Sequence, residues 1–232
     1  MENKSNNELL NKKKLLLLII IRVALVYIFI GILLFIPAGN IIYLNGWVYL
    51  TAMFIPMVFS IIYFFKTDPL LLEKRMRIKE TQKKQKRYIL MSLILFIITF
   101  LIPGFDYRYN WSDVPLWLVI VSLFFFEFGY IMFIAVLRQN SFASRIIEIQ
   151  EGQRVINTGL YSIVRHPMYL AAILIYISSP IILGSYYALI PTAFLPSILA
   201  FRISNEEKVL NELSGYREYK EKVKYRLIPF VW

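Results

Sequence analysis

The sequence predicts an all-α fold, a polytopic membrane helix bundle of about six spans. Of its 232 residues, 58% are hydrophobic and 16% are aromatic, whereas 18% are charged. The apolar residues are gathered into blocks about as long as a bilayer is thick, and the lysines and arginines lie between these blocks. A soluble domain would instead spread its apolar residues at helical or strand spacing. Composition and segregation together favour an integral membrane protein.

Four apolar segments come first along the chain. Residues 15–36 are interrupted only by Arg22, whose long side chain can reach the aqueous interface. The second span is expected at about 41–65, the third at about 88–105 and the fourth at 116–137. Each is close to the ~20 helical residues that cross ~30 Å of hydrocarbon.

The fifth and sixth spans are predicted to form a hairpin. Residues 168–203 are apolar, with Gly184 and Ser185 near the middle, which suits a tight turn between two helices of roughly 17 residues each. The charged segment that follows has a helical pattern up to about Tyr225. We therefore divide the chain into N-terminal membrane spans, 1–137, and a predicted catalytic region, 138–232, made of a linker, the hairpin and an amphipathic tail.

The basic residues predict the orientation. The N-terminal tail, residues 66–87 and the C-terminal tail carry most lysines and arginines, whereas residues 37–46 and 184–187 carry none. By the positive-inside rule, both termini are expected to be cytoplasmic. Basic loops facing anionic membrane lipids then explain the net charge of +11 without nucleic acid. The Ile-, Lys- and Asn-rich composition is compatible with the cytoplasmic membrane of a low-GC microbe.

Several kinds of chemistry are excluded by composition. The chain has no cysteine and a single histidine, His166, so disulfides, thiolate nucleophiles and Cys- or His-rich metal clusters are excluded. It also has no Gly-rich phosphate loop. We therefore expect no metal, and we look for function among the charged side chains.

The predicted hairpin brings two distant charged segments to the same membrane surface. Pro167 suits the first turn of a helix, so the two residues before it lie at a helix N-terminus, where free N–H groups favour an anion. The carboxylates at the returning end favour a cation, so a zwitterionic ligand would satisfy both. The residues concerned are Arg165, His166 and Tyr169 on one side and Arg202, Glu206 and Glu207 on the other.

Each of these residues also has a plainer interpretation. Arg165 could be an interface cation that reaches toward water, and His166 could cap the helix. Ser204 and Glu207 have the spacing of a capping box. The alternating Glu and Lys residues from Glu206 onward could be a solvated helical face.

The order and spacing of several motifs favour function over these interpretations. Residues 159–171, GLYSIVRHPMYLA, contain a Gly-x-Tyr turn and Arg-His-Pro-x-Tyr. Residues 202–229, RISNEEKVLNELSGYREYKEKVKYRLIP, contain Arg-x-x-x-Glu-Glu, a segment of the Gly-x-x-Tyr-x-x-Tyr type with Gly215 and Tyr219, and a closing Arg-x-x-Pro. Together they resemble the C-terminal signature of the isoprenylcysteine carboxyl methyltransferase family, much of which membrane phospholipid methyltransferases share. The resemblance covers about residues 138–232, and the chain departs from it at Ala171, where the family often has Gly.

This resemblance implies a membrane-embedded methyltransferase that uses S-adenosylmethionine and has no Rossmann domain. The anion-binding side of the hairpin would then hold the cofactor's carboxylate, and Glu206 or Glu207 would hold its ammonium. Tyrosines of the motif would pack on the cofactor or face its sulfonium. The cofactor-binding residues implied by the resemblance are Gly159, Tyr161, Arg165, His166, Pro167, Tyr169 and Glu207.

The implied methyl acceptor is a lipid-soluble small molecule or a lipidated molecule that arrives from the bilayer. A carboxylate acceptor needs no base, only an arginine to orient it, for which we expect Arg202 first and Arg165 second. An amine acceptor must lose a proton, and Glu206 is then the candidate base.

Glu127 is predicted near the centre of the fourth span. A carboxylate at that depth is costly and is usually functional. It could line a pocket for the lipid substrate, pair with another helix, or be a protonated structural residue.

Two other functional classes remain possible at this stage. NADPH-dependent membrane sterol or isoprenoid reductases have a similar C-terminal architecture, but they carry an Arg-His-x-Asn-Tyr-like motif. This chain has Pro-Met-Tyr after the histidine and a Glu-Glu pair, which favours the methyltransferase. A transporter or scaffold could also have six spans, but transporters place their polar residues at mid-membrane.

Overall fold

The computed structural model describes residues 2–76, 83–143 and 147–232. Residues 77–82 of the predicted basic loop and residues 144–146 of the predicted linker lie outside the described residues. The described chain is helical and contains no strand, which confirms the predicted all-α fold. The helices are α1 (Glu2–Ala38), α2 (Leu44–Thr67), α3 (Pro69–Met76), α4 (Lys83–Tyr109), α5 (Leu116–Gln139), α6 (Pro167–Ile182), α7 (Leu189–Thr192), α8 (Leu195–Leu210) and α9 (Tyr216–Lys222).

Four helical stretches are long and apolar enough to cross a membrane. They are Lys12–Ala38, Leu44–Thr67, Tyr88–Tyr109 and Leu116–Gln139, and they coincide with the four predicted N-terminal spans. The apolar helix α6 is shorter, with 16 residues and a length of about 24 Å. The chain is therefore an integral membrane protein.

Two glycines allow the long helices to approach each other closely. A Cβ atom on Gly104 of α4 would lie 2.5 Å from the carbonyl oxygen of Leu34 in α1. A Cβ on Gly129 of α5 would lie 2.8 Å from the Ile175 side chain and 3.1 Å from the Ala171 carbonyl oxygen in α6. Close packing of α5 against α6 matters most for function, because α6 begins with the histidine motif.

The hairpin turn is held at one end of the bundle, which we name the turn end. Gly184 has a positive φ of 77°, and α6 ends at Ile182, as the predicted turn requires. The buried Asp106 carboxylate accepts hydrogen bonds from the Ser185 hydroxyl and from the hydroxyl and backbone N–H of Ser112, both at 2.7 Å. Two further bonds come from the start of α2: the Tyr43 hydroxyl donates to the Leu183 carbonyl, and the Asn45 amide donates to the Ile182 carbonyl.

The returning arm of the hairpin differs from its prediction. We predicted one helix ending near Ile203, but the structure has the short α7 followed by α8, which continues to Leu210. Pro196 lies in the first turn of α8, and a proline is tolerated there but not in a helix interior. The helix therefore starts late and extends past the apolar run.

The C-terminal tail also differs from its prediction. We expected helix up to about Tyr225, but the tail helix is the short α9, which ends at Lys222. Gly215, with φ of 81°, separates α9 from α8 and lets the chain turn. Residues 223–226 then run back toward the start of α6.

Candidate active-site cleft

The Arg-His-Pro motif lies at the start of α6, as predicted. His166 is the N-cap residue of α6, and Pro167 occupies its first turn. The backbone N–H groups of Arg165 and His166 donate to the carbonyls of Tyr225 and Arg226, both at 2.9 Å. Two backbone hydrogen bonds from the motif to the tail therefore hold the two segments together.

The Arg165 side chain is a buried tie between the motif, α8 and the tail. It is only 8% exposed, and its Nε lies 2.7 Å from Oε1 of Glu207. Its guanidinium also donates to the carbonyls of Val223 and Lys224, at 2.7 and 2.8 Å. The interpretation of Arg165 as an interface cation reaching toward water is therefore wrong.

Glu207 connects three basic side chains. Besides Arg165, its Oε1 lies 3.3 Å from Nε2 of His166, and its Oε2 lies 3.0 Å from Nε of Arg226. Burial raises the pKa of Glu207, but hydrogen bonds and charge from His166 and Arg165 outweigh burial and lower the pKa to about 2. The capping-box interpretation of Ser204 and Glu207 is wrong, because both residues lie in the interior of α8.

Glu206, the neighbour of Glu207, belongs to a separate network. The Tyr169 hydroxyl donates to Oε2 of Glu206 at 2.5 Å and accepts a hydrogen bond from Nε of Arg202 at 2.8 Å. The rings of Tyr169 and His166 are 5.8 Å apart between centroids. Tyr169 therefore links the predicted acceptor-orienting arginine to the predicted base.

The Gly-x-Tyr turn is attached to the end of α5. Gly159 has φ of 58°, and a Cβ on it would lie 2.6 Å from the Gln139 side chain. The Tyr161 hydroxyl accepts a hydrogen bond from the Asn140 amide at 2.9 Å. The backbone carbonyl of Tyr161 accepts a hydrogen bond from the Tyr219 hydroxyl at 2.7 Å. Burial raises the pKa of Tyr161 to about 12, so its hydroxyl stays protonated.

A cleft lies between these elements, with about 900 Å³ of empty space including its open mouth. Its walls come from residues 140–143 and 147–156, from the Gly-x-Tyr turn and the Arg-His-Pro motif, and from α8 and α9. Six of the predicted site residues line it: Tyr161, Arg165, His166, Tyr169, Arg202 and Glu206. Four others do not, namely Gly159, Pro167, Glu207 and Glu127.

Our sequence reasoning assigned no role to several residues that form this site. Arg226 pairs with Glu207, and Asn140 and Tyr216 line the cleft. Arg226 belongs to the closing Arg-x-x-Pro motif, which was recognised in the sequence, although no function was predicted for this arginine. Asn140 and Tyr216 lie within the segments that carry the resemblance, but no role was predicted for them, because their positions depend on the folding of the linker and tail.

Glu127 lies apart from the cleft. It is half-buried in α5, about 18 Å from the end of that helix at Gln139. In the part of the chain that the structure describes, we find no hydrogen bond or ion pair for its carboxylate. Its proposed role in an acceptor pocket therefore stays a prediction.

The segment that builds the cleft has a known counterpart. Residues 118–212 match the isoprenylcysteine carboxyl methyltransferase (ICMT) family. The match includes α5, α6 and α8, and it confirms the resemblance predicted from the motifs. The match begins within α5, ahead of the predicted boundary at residue 138.

A solved structure supports the predicted membrane fold. The chain is similar to the eukaryotic intramembrane Ras methyltransferase ICMT, with a TM-score of 0.52 and 17% sequence identity. The similarity covers 93% of this chain and 85% of that chain. At this identity the likeness concerns the fold alone. No curated protein sequence matches the chain.

Proposed function

We propose that the protein transfers the methyl group of S-adenosylmethionine to the carboxylate of a lipidic, prenyl-type acceptor. The observation that supports this proposal is the charge arrangement in the cleft. Arg165, His166 and Arg202 line the same cleft as the carboxylate of Glu206. This donor set suits a ligand whose amino-acid end carries both a carboxylate and an ammonium.

The proposal assigns the polar groups of the cleft to the two charged groups of the cofactor's amino-acid end. In the proposal, His166 and the Arg165 side of the motif bind the carboxylate, and Glu206 binds the ammonium. Glu207 does not line the cleft, and both of its carboxylate oxygens are paired with basic side chains. In the proposal it holds Arg165 and His166 in position and does not contact the ligand.

S-adenosylmethionine supplies a methyl group on a positively charged sulfur when it is bound. A carboxylate oxygen that takes this methyl group needs no base, because it is already anionic and the electrons of the broken carbon–sulfur bond stay on sulfur. The chain's task is positioning, and holding two reactants in line supplies much of the rate. Arg202, whose Nε is fixed by Tyr169, orients the acceptor carboxylate in this proposal.

The acceptor would reach Arg202 from the lipid. Phe201, the preceding residue, is 69% exposed on the surface of α8, and Phe194 is 61% exposed. In a bilayer, such side chains contact hydrocarbon. A prenyl-type chain lying there would bring its polar end toward the cleft.

The test uses the full chain purified in detergent. We expect S-adenosylmethionine and its demethylated product to raise the unfolding temperature, and we expect NADPH to leave it unchanged. Label from the cofactor's methyl group should then enter a lipid extract as an alkali-labile ester. Stabilisation by NADPH alone would favour the reductase and overturn the proposal.

The stability of the product to alkali separates the two acceptor classes. A methyl ester releases its label in alkali, whereas a methylated amine keeps it. A phospholipid amine as product would overturn the carboxylate assignment and make Glu206 the proton acceptor.

A further inference from the structure

The tail forms a second, more open cavity, which shares only Arg165 with the cleft. Three of its side chains are cationic, those of Arg165, Lys224 and Arg226, and none of its described lining residues is an Asp or a Glu. Among the described residues, the carboxylate paired with the two arginines is Glu207, so three positive charges face one negative charge. The lining residues are Arg165, residues 224–226 and residues 230–232.

The cationic side chains of this cavity keep hydrogen-bond donors for a ligand. Arg226 uses its Nε for Glu207, and its side chain is 31% exposed. Lys224 is exposed, and its ammonium makes no ion pair in the part of the chain that the structure describes. Arg165 uses its Nε and one terminal nitrogen for Glu207 and the tail carbonyls, which leaves its second terminal nitrogen. A phosphate matches such a set of charged donors well.

Beside the cavity, residues 226–232 close on themselves in a loop, which we name the tail loop. The backbone oxygen of Trp232 accepts hydrogen bonds from the N–H groups of residues 226–228, at 2.8, 3.0 and 3.4 Å. The Arg226 guanidinium lies over the Trp232 ring, 4.9 Å from its centroid. The tail loop therefore has a defined shape, and the backbone oxygen of Trp232 is turned into the loop.

The base of the tail loop packs on the membrane helices. Leu227 is 4% exposed and belongs to the same apolar cluster as Leu95 of α4 and Ile173 of α6, and Trp232 packs against this cluster. Leu95 lies about 10 Å along α4 from Tyr88, where the apolar span of that helix begins. The tail loop therefore lies at the membrane boundary on the side of the cleft.

The tip of the tail loop is apolar and exposed. Phe230 is 89% exposed and Val231 is 75% exposed. Phe230 also has a φ of 66°, a left-handed conformation that is costly for a bulky residue and that glycine would adopt without cost. Apolar side chains at a membrane boundary, next to basic residues, are typical of elements that bind anionic lipid.

We propose that the cavity and the tip of the tail loop bind one anionic phospholipid of the surrounding membrane. Its phosphate accepts hydrogen bonds from Lys224 and Arg226, and its acyl chains lie against Phe230 and Val231. A zwitterionic phospholipid brings a cationic group to the same cations and therefore binds less tightly. Because the carbonyls of Tyr225 and Arg226 accept the backbone N–H groups of the histidine motif, the lipid also stabilises the start of α6. The lipid site does not depend on what the cleft binds.

The test measures lipid binding to the full chain in detergent by native mass spectrometry. The two probes share their acyl chains: dioleoylphosphatidylglycerol is anionic, and dioleoylphosphatidylcholine is zwitterionic. We expect the wild type to bind the anionic lipid about 5- to 10-fold more tightly. Inorganic phosphate in excess should not displace it, because free phosphate lacks the acyl contacts. Equal affinity for the two lipids, or displacement by inorganic phosphate, overturns the assignment to a phospholipid.

Two variants address the two parts of the site. Lys224→Gln should weaken the anionic lipid about 5-fold and change the affinity for the zwitterionic lipid by less than about twofold. Phe230→Gly should weaken both lipids, about 3- to 10-fold, because both lose the same apolar contact. The lipid-free unfolding temperature of Phe230→Gly should stay equal or rise, since glycine adopts the positive φ without strain.

Lys222→Gln is the matched control, because Lys222 is exposed two residues before Lys224 but does not line the cavity. It should bind both lipids like the wild type. If Lys222→Gln weakens the anionic lipid as much as Lys224→Gln does, the lipid responds to net charge alone, and the site is refuted. Wild-type lipid affinity in both Lys224→Gln and Phe230→Gly refutes it as well.

Discussion

At the scale of single residues, two neighbouring carboxylates of α8 occupy different surroundings. Successive side chains of a helix point about 100° apart. Glu206 therefore lines the cleft, while Glu207 lies among Arg165, His166 and Arg226. In the Glu-Glu motif, Glu206 can thus contact a ligand, whereas Glu207 stabilises the basic side chains that form the cleft.

This difference predicts opposite effects of matched substitutions. Glu206→Gln should weaken binding of S-adenosylhomocysteine about 10-fold or more and leave ligand-free stability close to wild type. Glu207→Gln leaves buried cations without their counter-charge and should lower the free energy of unfolding by about 3 kcal/mol. Unfolding of each variant without ligand gives its stability, and the shift that S-adenosylhomocysteine causes gives its affinity for the ligand. Equal effects of the two variants on ligand-free stability would contradict the assignment.

Glu207 also predicts a dependence of stability on pH. Its pKa falls from an ordinary 4.5 to about 2 on folding, so the folded state favours the ionised carboxylate. The stabilisation is fully present above the ordinary pKa and is lost as the pH falls from about 4.5 through about 2. The free energies of unfolding of wild type and Glu207→Gln should therefore differ by a constant amount between about pH 7 and 5.5, and by a smaller amount at pH 4. A difference that grows on acidification would exclude this origin.

At the scale of helices, close contacts determine how the long elements pack. Gly104 lies where α4 meets the backbone of α1, whereas a Cβ on Gly31 of α1 would meet nothing within 4 Å. The same substitution is therefore expected to have opposite signs at the two sites.

Gly104→Ala should lower the free energy of unfolding by about 1–3 kcal/mol, because the added methyl group must push α1 away. Gly31→Ala should raise it by about 0.5 kcal/mol or more, since alanine loses less conformational freedom in a helix. Thermal unfolding in one detergent compares the two variants. Destabilisation by both would indicate that helix propensity and packing are not the deciding effects.

The positions of the helices were predicted better from the sequence than the connections between them. Block lengths, Pro167 and the Gly184-Ser185 turn located the first four spans and the start and end of α6. The break between α7 and α8 was missed, because the apolar run continues through it and only Pro191 and Pro196, on either side of it, mark it. Which glutamate lines the cleft was not predictable either, since that depends on how residues 223–226 pack against the motif.

At the scale of the whole molecule, the hairpin is fixed at both of its ends. Asp106, Ser112 and Ser185 join the turn end, and Glu207 and Arg165 join the motif to α8 and the tail. The turn end lies at the opposite end of α6 from the cleft. Stability and ligand binding should therefore respond separately to changes at the two ends.

Ser185→Ala removes one donor from the buried Asp106 carboxylate and should lower the free energy of unfolding by about 1–3 kcal/mol. Hydrogen exchange should rise at the backbone amides of residues 183–190 and stay close to wild type at residues 159–170. The affinity of the folded protein for S-adenosylhomocysteine should change little. Increased exchange confined to residues 159–170 would show that the two ends are not independent.

The contacts between the tail and the histidine motif also bear on the timing of biosynthesis. Residues 223–226 are translated after α1 to α8, yet they supply the carbonyls that accept hydrogen bonds from Arg165 and His166. The bundle can therefore insert before the candidate cleft exists. A nascent chain stalled before residue 223 would be a membrane-inserted protein without a finished cleft, so under the proposed function methyl transfer can begin only after the tail has been translated.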